Sequence, residues 1–247
     1  MHYNLAESTW GEEEINAMRR VIDSDRLTMG EEVKQFESAF AQKFGAQYAI
    51  MTSSGSSANL VGLASLFFKK ENPLKPGDEV IVPSISWATT YYPLQQYGLK
   101  LKFLDVELNT LNMDASKLEE ALTQKTKMVV AVSILGNPCS LVTIRKFCDD
   151  HGLYLFEDNC ESMGAELNGR SCGTFGDIGT FSTFFSHHIS TMEGGVILTE
   201  SEELFHLAKS LRAHGWTRDL PNESPIYDRG TNDFYEAYRF ILPGYNA

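Results

Sequence analysis

The chain has 247 residues, of which 33 are Asp or Glu and 21 are Lys or Arg, giving a formal charge of −12. An acidic chain without a basic run lacks the clustered cations that hold a polyphosphate surface, which argues against a nucleic-acid binder. With 43% hydrophobic and 22% charged residues it has the composition of a globular enzyme. Its longest apolar run, 128–135, falls short of the roughly 20 residues needed to cross a bilayer.

Short runs rich in Val, Ile and Phe alternate with amphipathic stretches, the pattern of an α/β sheet covered by helices on both faces. In chain order the spacing predicts helices over 11–22 and 31–44, a strand over 48–51, a helix over 58–68, a strand over 79–82 and a helix over 88–96. A strand over 101–104, a helix over 115–122, a strand over 128–132, a helix over 141–150 and a strand over 154–156 follow. Strands over 179–184 and 196–199 and a helix over 202–213 complete the pattern. Pro, Asn, Asp and Gly gather over 218–233 and predict a long projecting loop, and the apolar residues 240–242 read as strand-like. The opening MHYNLAESTW has neither a basic nor an apolar leader region, so no signal peptide is read and a cytoplasmic setting is expected. Cys139, Cys148, Cys160 and Cys172 form no C-x-x-C pair and read as buried, reduced thiols.

Three segments could carry chemistry. SSGSSAN (53–59) follows a strand and opens a helix, where small residues let backbone N–H groups face a phosphate; a serine-capped turn explains it equally well. FEDNCESMGA (156–165) places Glu157, Asp158 and Glu161 just past the C-terminal end of a buried strand, where ligands gather in open α/β sheets, or where Asp158 and Asn159 simply cap the next turn. TFSTFFSHHISTMEGG (180–195) sets His187 and His188 in a loop with Ser186. Adjacent His residues on an extended segment point apart, so no metal site is read, and acid-base chemistry by one imidazole suits the loop better.

SSGSSAN, SISWATTYYP (84–93), EDNCESMG, FSTFFSHHISTMEGG and RAHGWTR (212–218), in that order and across essentially the whole chain, resemble the DegT/DnrJ/EryC1/StrS family of sugar aminotransferases. The resemblance implies the large domain of a fold type I pyridoxal-phosphate (PLP) enzyme over residues 1–247, with a mostly parallel sheet between helices. The family's smaller C-terminal domain, which follows LPGYN, is expected to be absent.

In the family's aminotransferases a Lys forms the Schiff base with PLP where this sequence has His187, and 147–208 contains no Lys. Lys209 reads as a solvated residue of an amphipathic helix. The resemblance therefore implies PLP and its pyridoxamine form bound non-covalently, and a 3-dehydratase acting on a nucleotide-linked 4-keto-6-deoxy sugar. His187 would move protons, and L-glutamate would restore the amine form. An ordinary aminotransferase and a fragment that only binds cofactor are the alternatives.

Asp158 is expected at the pyridine nitrogen, Trp87 on the ring face, and Gly55, Ser56 and Ser182 at the phosphate. Glu161 and Ser186 would line the pocket, Glu161 toward the cofactor and Ser186 toward the substrate. Asn246 would serve the phosphate of a neighbouring subunit, implying a homodimer with shared sites. A related iron-sulfur dehydrase shares the His-for-Lys swap but carries a cysteine cluster beyond the His loop. No Cys follows Cys172, so neither a cluster nor a partner reductase is expected.

Overall fold

A computed structural model describes residues 4, 6–228 and 238–247. The chain runs α1 (Glu12–Asp23), α2 (Glu31–Phe44), β1 (Tyr48–Thr52), α3 (Gly55–Phe67), β2 (Glu79–Pro83), α4 (Ala88–Gln96) and β3 (Lys100–Leu104). A 3-10 turn (Ala115–Lys117) leads into α5 (Leu118–Ala121), β4 (Thr126–Val132), a second 3-10 turn (Ile134–Gly136), α6 (Leu141–His151) and β5 (Tyr154–Asp158). There follow β6 (Glu166–Leu167), β7 (Arg170–Ser171), β8 (Ile178–Ser182), β9 (Gly195–Thr199), α7 (Glu202–Arg212), β10 (Glu223–Ser224) and β11 (Tyr227–Asp228).

Seven strands form one sheet in the order β1-β9-β8-β5-β4-β2-β3. β9 is antiparallel to both its neighbours, so the other six strands all point the same way. This is the mostly parallel α/β sheet the sequence predicts. Alternation along the strands divides the core. Val80, Val82, Met128 and Val130 pack under α3 and α7 with Ala58, Val61, Leu63, Leu207 and Leu211. Ile81, Val129, Ala131 and Leu155 face the other way, onto Leu118, Leu141 and Ile144. Phe40 and Phe44 of α2 close that second face over Phe181, Val196 and Leu198. α3 lies between the sheet and α7 and is apolar nearly all round, as a helix buried on both sides must be.

All seven predicted main strands and seven helical segments are present, with shifts at their ends. β5 continues through Glu157 and Asp158, which are its last residues rather than the start of the next loop, and 115–122 is a 3-10 turn joined to a single α-turn. The predicted projecting loop is corrected in its described part. Residues 223–228 form the β10–β11 ribbon, tied to α7 by a 3.0 Å hydrogen bond between Ser224 Oγ and His206 Nδ1, while 229–233 lie outside the described residues. Residues 240–242 form no strand, because Phe240 makes only an isolated bridge to Trp216.

Lys209 is half-buried in α7 rather than solvated. Its Nζ lies 5.1 Å from the Phe205 ring centroid, and burial pulls its pKa down. Among the described residues no helix is long and apolar enough to cross a membrane.

Candidate active site

Six strands pointing one way bring their C-terminal ends to one edge of the sheet, where the loops that follow them can surround a ligand. A cavity of about 590 Å³ opens there, lined from Ser54–Ser56 after β1, Ser86–Thr90 after β2, Val132 of β4, Asp158–Glu161 around β5, and Ser182, Phe184, Ser186 and His187 from β8 onward. Of the nine predicted site residues, the cavity collects eight: Gly55, Ser56, Trp87, Asp158, Glu161, Ser182, Ser186 and His187. Asn246 is exposed near the chain end, bridged to Ala213, and does not line it.

Asp158 is buried, and its carboxylate is held by uncharged donors. Oδ2 accepts from Asn59 Nδ2 at 2.9 Å and Thr90 Oγ1 at 2.8 Å, and Oδ1 accepts the backbone N–H of Cys160 at 3.2 Å. Such a carboxylate can still receive a cation from the cavity. Its neighbour Glu157 points to the other face of the strand, as the period of two requires. There it is fully buried, accepting from Gly173 N at 2.8 Å and Gly176 N at 2.5 Å, and burial lifts its pKa to about 7.

Trp87 caps the start of α4 and is 72% exposed, an aromatic face that no described side chain covers. Ser54 caps α3, accepting from Ser57 N at 3.0 Å, so the first N–H groups of the helix open on the cavity beside Ser56 and Ser182. Close approach makes Gly55 necessary, since a Cβ there would stand 2.6 Å from Ser182 Cβ. This cradle suits an anion. Glu161 lines the wall while its Oε2 accepts from Leu135 N at 2.8 Å.

The His loop leaves β8 and returns in β9. Its neck is closed by Thr183 N donating to Gly194 O, by Thr191 N donating to Thr183 O, both at 2.9 Å, and by a 2.6 Å contact between the two Thr hydroxyls. Trp10 Nε1 donates to Ser190 O at 3.1 Å and ties the loop to the N-terminal segment. His187 is half-buried. Burial, then the charge of His188, lower its pKa, against the opposing pull of Glu161 and Asp158, which favours the neutral imidazole. Among the described residues no Lys lines the cavity. Together the walls offer a carboxylate for a cationic ring, an indole face, an anion cradle and one free imidazole.

Sequence reasoning missed Asn59, Thr90, Thr180 and Glu193. Thr180 Oγ1 donates to Asn59 Oδ1 at 2.6 Å, and Glu193 lines the cavity from the end of the His loop. A buried polar side chain in an otherwise apolar helix must find a partner, and that signal could have found Asn59. Cys139, Cys148 and Cys172 are buried as expected, but Cys160 is only half-buried and lines the cavity, because it follows Asp158 at the strand end. Among the described residues no cluster of His, Cys, Asp and Glu is arranged to hold a metal ion.

GDP-4-keto-6-deoxy-D-mannose 3-dehydratase of Yersinia pseudotuberculosis is 54% identical over 248 residues, covering 100% of this chain and 63% of that protein. A solved structure of Escherichia coli GDP-4-keto-6-deoxy-D-mannose-3-dehydratase with bound hydrated PLP is 53% identical with a TM-score of 0.95, covering 99% of this chain and 63% of the other. A structure of GDP-4-keto-6-deoxymannose-3-dehydratase with a trapped PLP-glutamate geminal diamine has a TM-score of 0.96 at 53% identity, covering 99% and 64%. This chain thus spans a little under two thirds of the length of these relatives. The sequence signature of the DegT/DnrJ/EryC1/StrS aminotransferase family matches residues 8–233, and the chain belongs to that family.

Proposed function

We propose that the chain is the cofactor-binding large domain, over residues 1–247, of a PLP-dependent dehydratase. It removes the C3 hydroxyl of a nucleotide-linked 4-keto-6-deoxy sugar, with GDP-4-keto-6-deoxymannose as substrate and L-glutamate as amino donor. The observation that carries this reading is His187 on the wall of a cavity that no Lys lines, in a chain 54% identical to a 3-dehydratase of that sugar nucleotide.

The residues fit PLP. Asp158, held by neutral donors, can pair with a protonated ring nitrogen, and Trp87 offers its face to the ring. Gly55, Ser56 and Ser182 can take the phosphate in a cradle that a Cβ at Gly55 would fill, while Glu161 completes the wall. When bound, the cofactor supplies an amine for the 4-keto group and an electron sink for loss of the C3 substituent.

The protein supplies orientation and proton transfer. Its free-base imidazole lets His187 accept a proton on a ring nitrogen and hand it to the C3 hydroxyl as that group departs. Ser186, next to His187 on the same wall, is placed to orient the sugar. Because an imidazole cannot anchor the cofactor as a Lys does, retention falls to the phosphate cradle and Asp158. We place the enzyme in the cytoplasm, where its four free cysteines stay reduced. It acts as a homodimer in which Asn246 serves the partner's phosphate site.

The test is mass spectrometry of the sugar nucleotide after incubating the chain with PLP, L-glutamate and GDP-4-keto-6-deoxymannose. Loss of oxygen with the keto group retained is the expected result. Gain of an amino group would make it an aminotransferase instead, and an unchanged sugar would refute the activity for this chain.

A further inference from the structure

Two elements converge on one oxygen of Asp158, and a third stands behind them. Asn59 of α3 reaches Oδ2 at 2.9 Å, Thr90 of α4 reaches it at 2.8 Å, and Thr180 of β8 stands behind Asn59, its hydroxyl donating to Asn59 Oδ1 at 2.6 Å. All three are buried, Asn59 to 3% and Thr180 to 0% exposure. A carboxylate only accepts, so it fixes the Asn59 amide with its NH₂ toward Asp158 and its oxygen toward Thr180, whose hydroxyl also lies 3.3 Å from Glu157 O and braces the amide from behind. Asn59 also donates to Thr89 O at 3.3 Å, tying the start of α4 to the same side chain. With both side-chain donors on Oδ2, Oδ1 takes only a backbone N–H from this network and keeps acceptor capacity.

We infer that Asn59 is a positioning residue for the cofactor's ring nitrogen: braced by Thr180, it aims the Asp158 carboxylate and holds bound PLP in its ring-protonated form. The inference rests on the function proposed above. In a cavity of low dielectric, a carboxylate facing a ring cation competes with the neutral acid–base pair that one proton jump creates. Each donor to the charged oxygen favours the ion pair. Removing one such donor is expected to lower the ratio of ion pair to neutral pair about tenfold. An apolar residue of similar volume at 59 would fill the space and still lose this effect, which separates aiming from packing.

The experiment saturates the chain with PLP carrying ¹⁵N in the ring and reads the nitrogen resonance, with circular dichroism to confirm the fold. The parent is expected at the protonated-ring position and Asp158→Asn at the unprotonated one. Asn59→Ala and Asn59→Leu should move toward the unprotonated position, with about a tenfold smaller ratio of protonated to unprotonated ring. Thr180→Val, which removes the hydroxyl that braces the amide oxygen, should move less in the same sense. A parental resonance in the folded Asn59 variants, with Asp158→Asn shifted, overturns the inference and leaves the cofactor site standing. If the Asn59 variants do not fold, a parental resonance in Thr180→Val overturns it equally. Failure of the parent to hold PLP, or an unshifted Asp158→Asn, overturns the cofactor reading and this inference with it.

Discussion

Replacing Gly55 by Ala adds one methyl group where α3 meets the end of β8. That carbon would stand 2.6 Å from Ser182 Cβ, 3.0 Å from Cys160 Sγ and 3.1 Å from Ser182 Oγ, whereas relaxed carbon contacts lie at about 3.5–4.0 Å. Helix and strand must therefore part by roughly 1 Å. Overpacking of this kind costs about 1–3 kcal/mol, and better helix propensity returns at most about 1 kcal/mol. From the middle of that cost range, about 2 kcal/mol, the net loss is about 1–2 kcal/mol, which lowers the melting temperature of a domain this size by about 2–8 °C.

Because Ser182 supplies two of the three contacts, Ser182→Gly should relieve most of the clash. Thermal unfolding of the parent, both single variants and the double variant then gives a coupling of about 1 kcal/mol or more. The same opening of the cradle should weaken PLP binding, read by titration. Unfolding of Gly55→Ala within a degree of the parent, or an equal loss in the Ser182→Gly background, would refute the close approach.

Three further outcomes follow from the site. The proton transfer assigned to His187 predicts that kcat/KM rises with pH through a midpoint below 6.5, because burial and His188 both disfavour the imidazolium. His188→Asn should move that midpoint up, and His187→Asn should cost about 10²–10⁴-fold in dehydration; unchanged turnover would remove His187 from the mechanism. Glu157, with a folded pKa of about 7 against 4.5 for an ordinary glutamate carboxyl, contributes stability that is full below pH 4.5 and lost as pH rises toward 7. Urea unfolding should show that decline in the parent and a flatter profile in Glu157→Gln. Trp10→Phe removes the donor to Ser190 O and should speed amide exchange across 183–194 by about fivefold, equivalent to about 1 kcal/mol of local stability.

The architecture was legible because each main strand is an apolar run and each long helix carries its own stripe or cap. The serine cap offered for SSGSSAN is present, since Ser54 accepts from Ser57 N, and α3 starts at Gly55, three residues before the predicted 58. Short pairings such as Glu166–Leu167 with Arg170–Ser171 involve too few residues to leave a period. β5 was read short because its last two residues are carboxylates, and the loop amides that accommodate Glu157 lie 16 and 19 residues further on.

Site residues that stand in marked segments were found from those segments. Asn59 and Thr90 were not, since their role depends on Asp158, 99 and 68 residues away, and no local pattern encodes that distance. Lys209 was misread for a related reason. Its helix is amphipathic, yet its ammonium lies over the Phe205 ring, and sequence periodicity cannot report how far a long side chain folds back along its helix.

The one reversed strand also bears on how such a site can change. A parallel return from β8 would need a crossover with a helix of its own, and residues on that connection would be committed to packing. As β9 comes straight back beside β8, the segment bearing His187 is a hairpin loop sealed at its neck by Thr183 and Thr191. Its tip, around His187, lies outside the residues that pair β8 with β9 and outside both core faces. With the role proposed for His187, a change of reaction type would be decoupled from a change of fold, resting on a single codon between two hydrogen-bonded threonines.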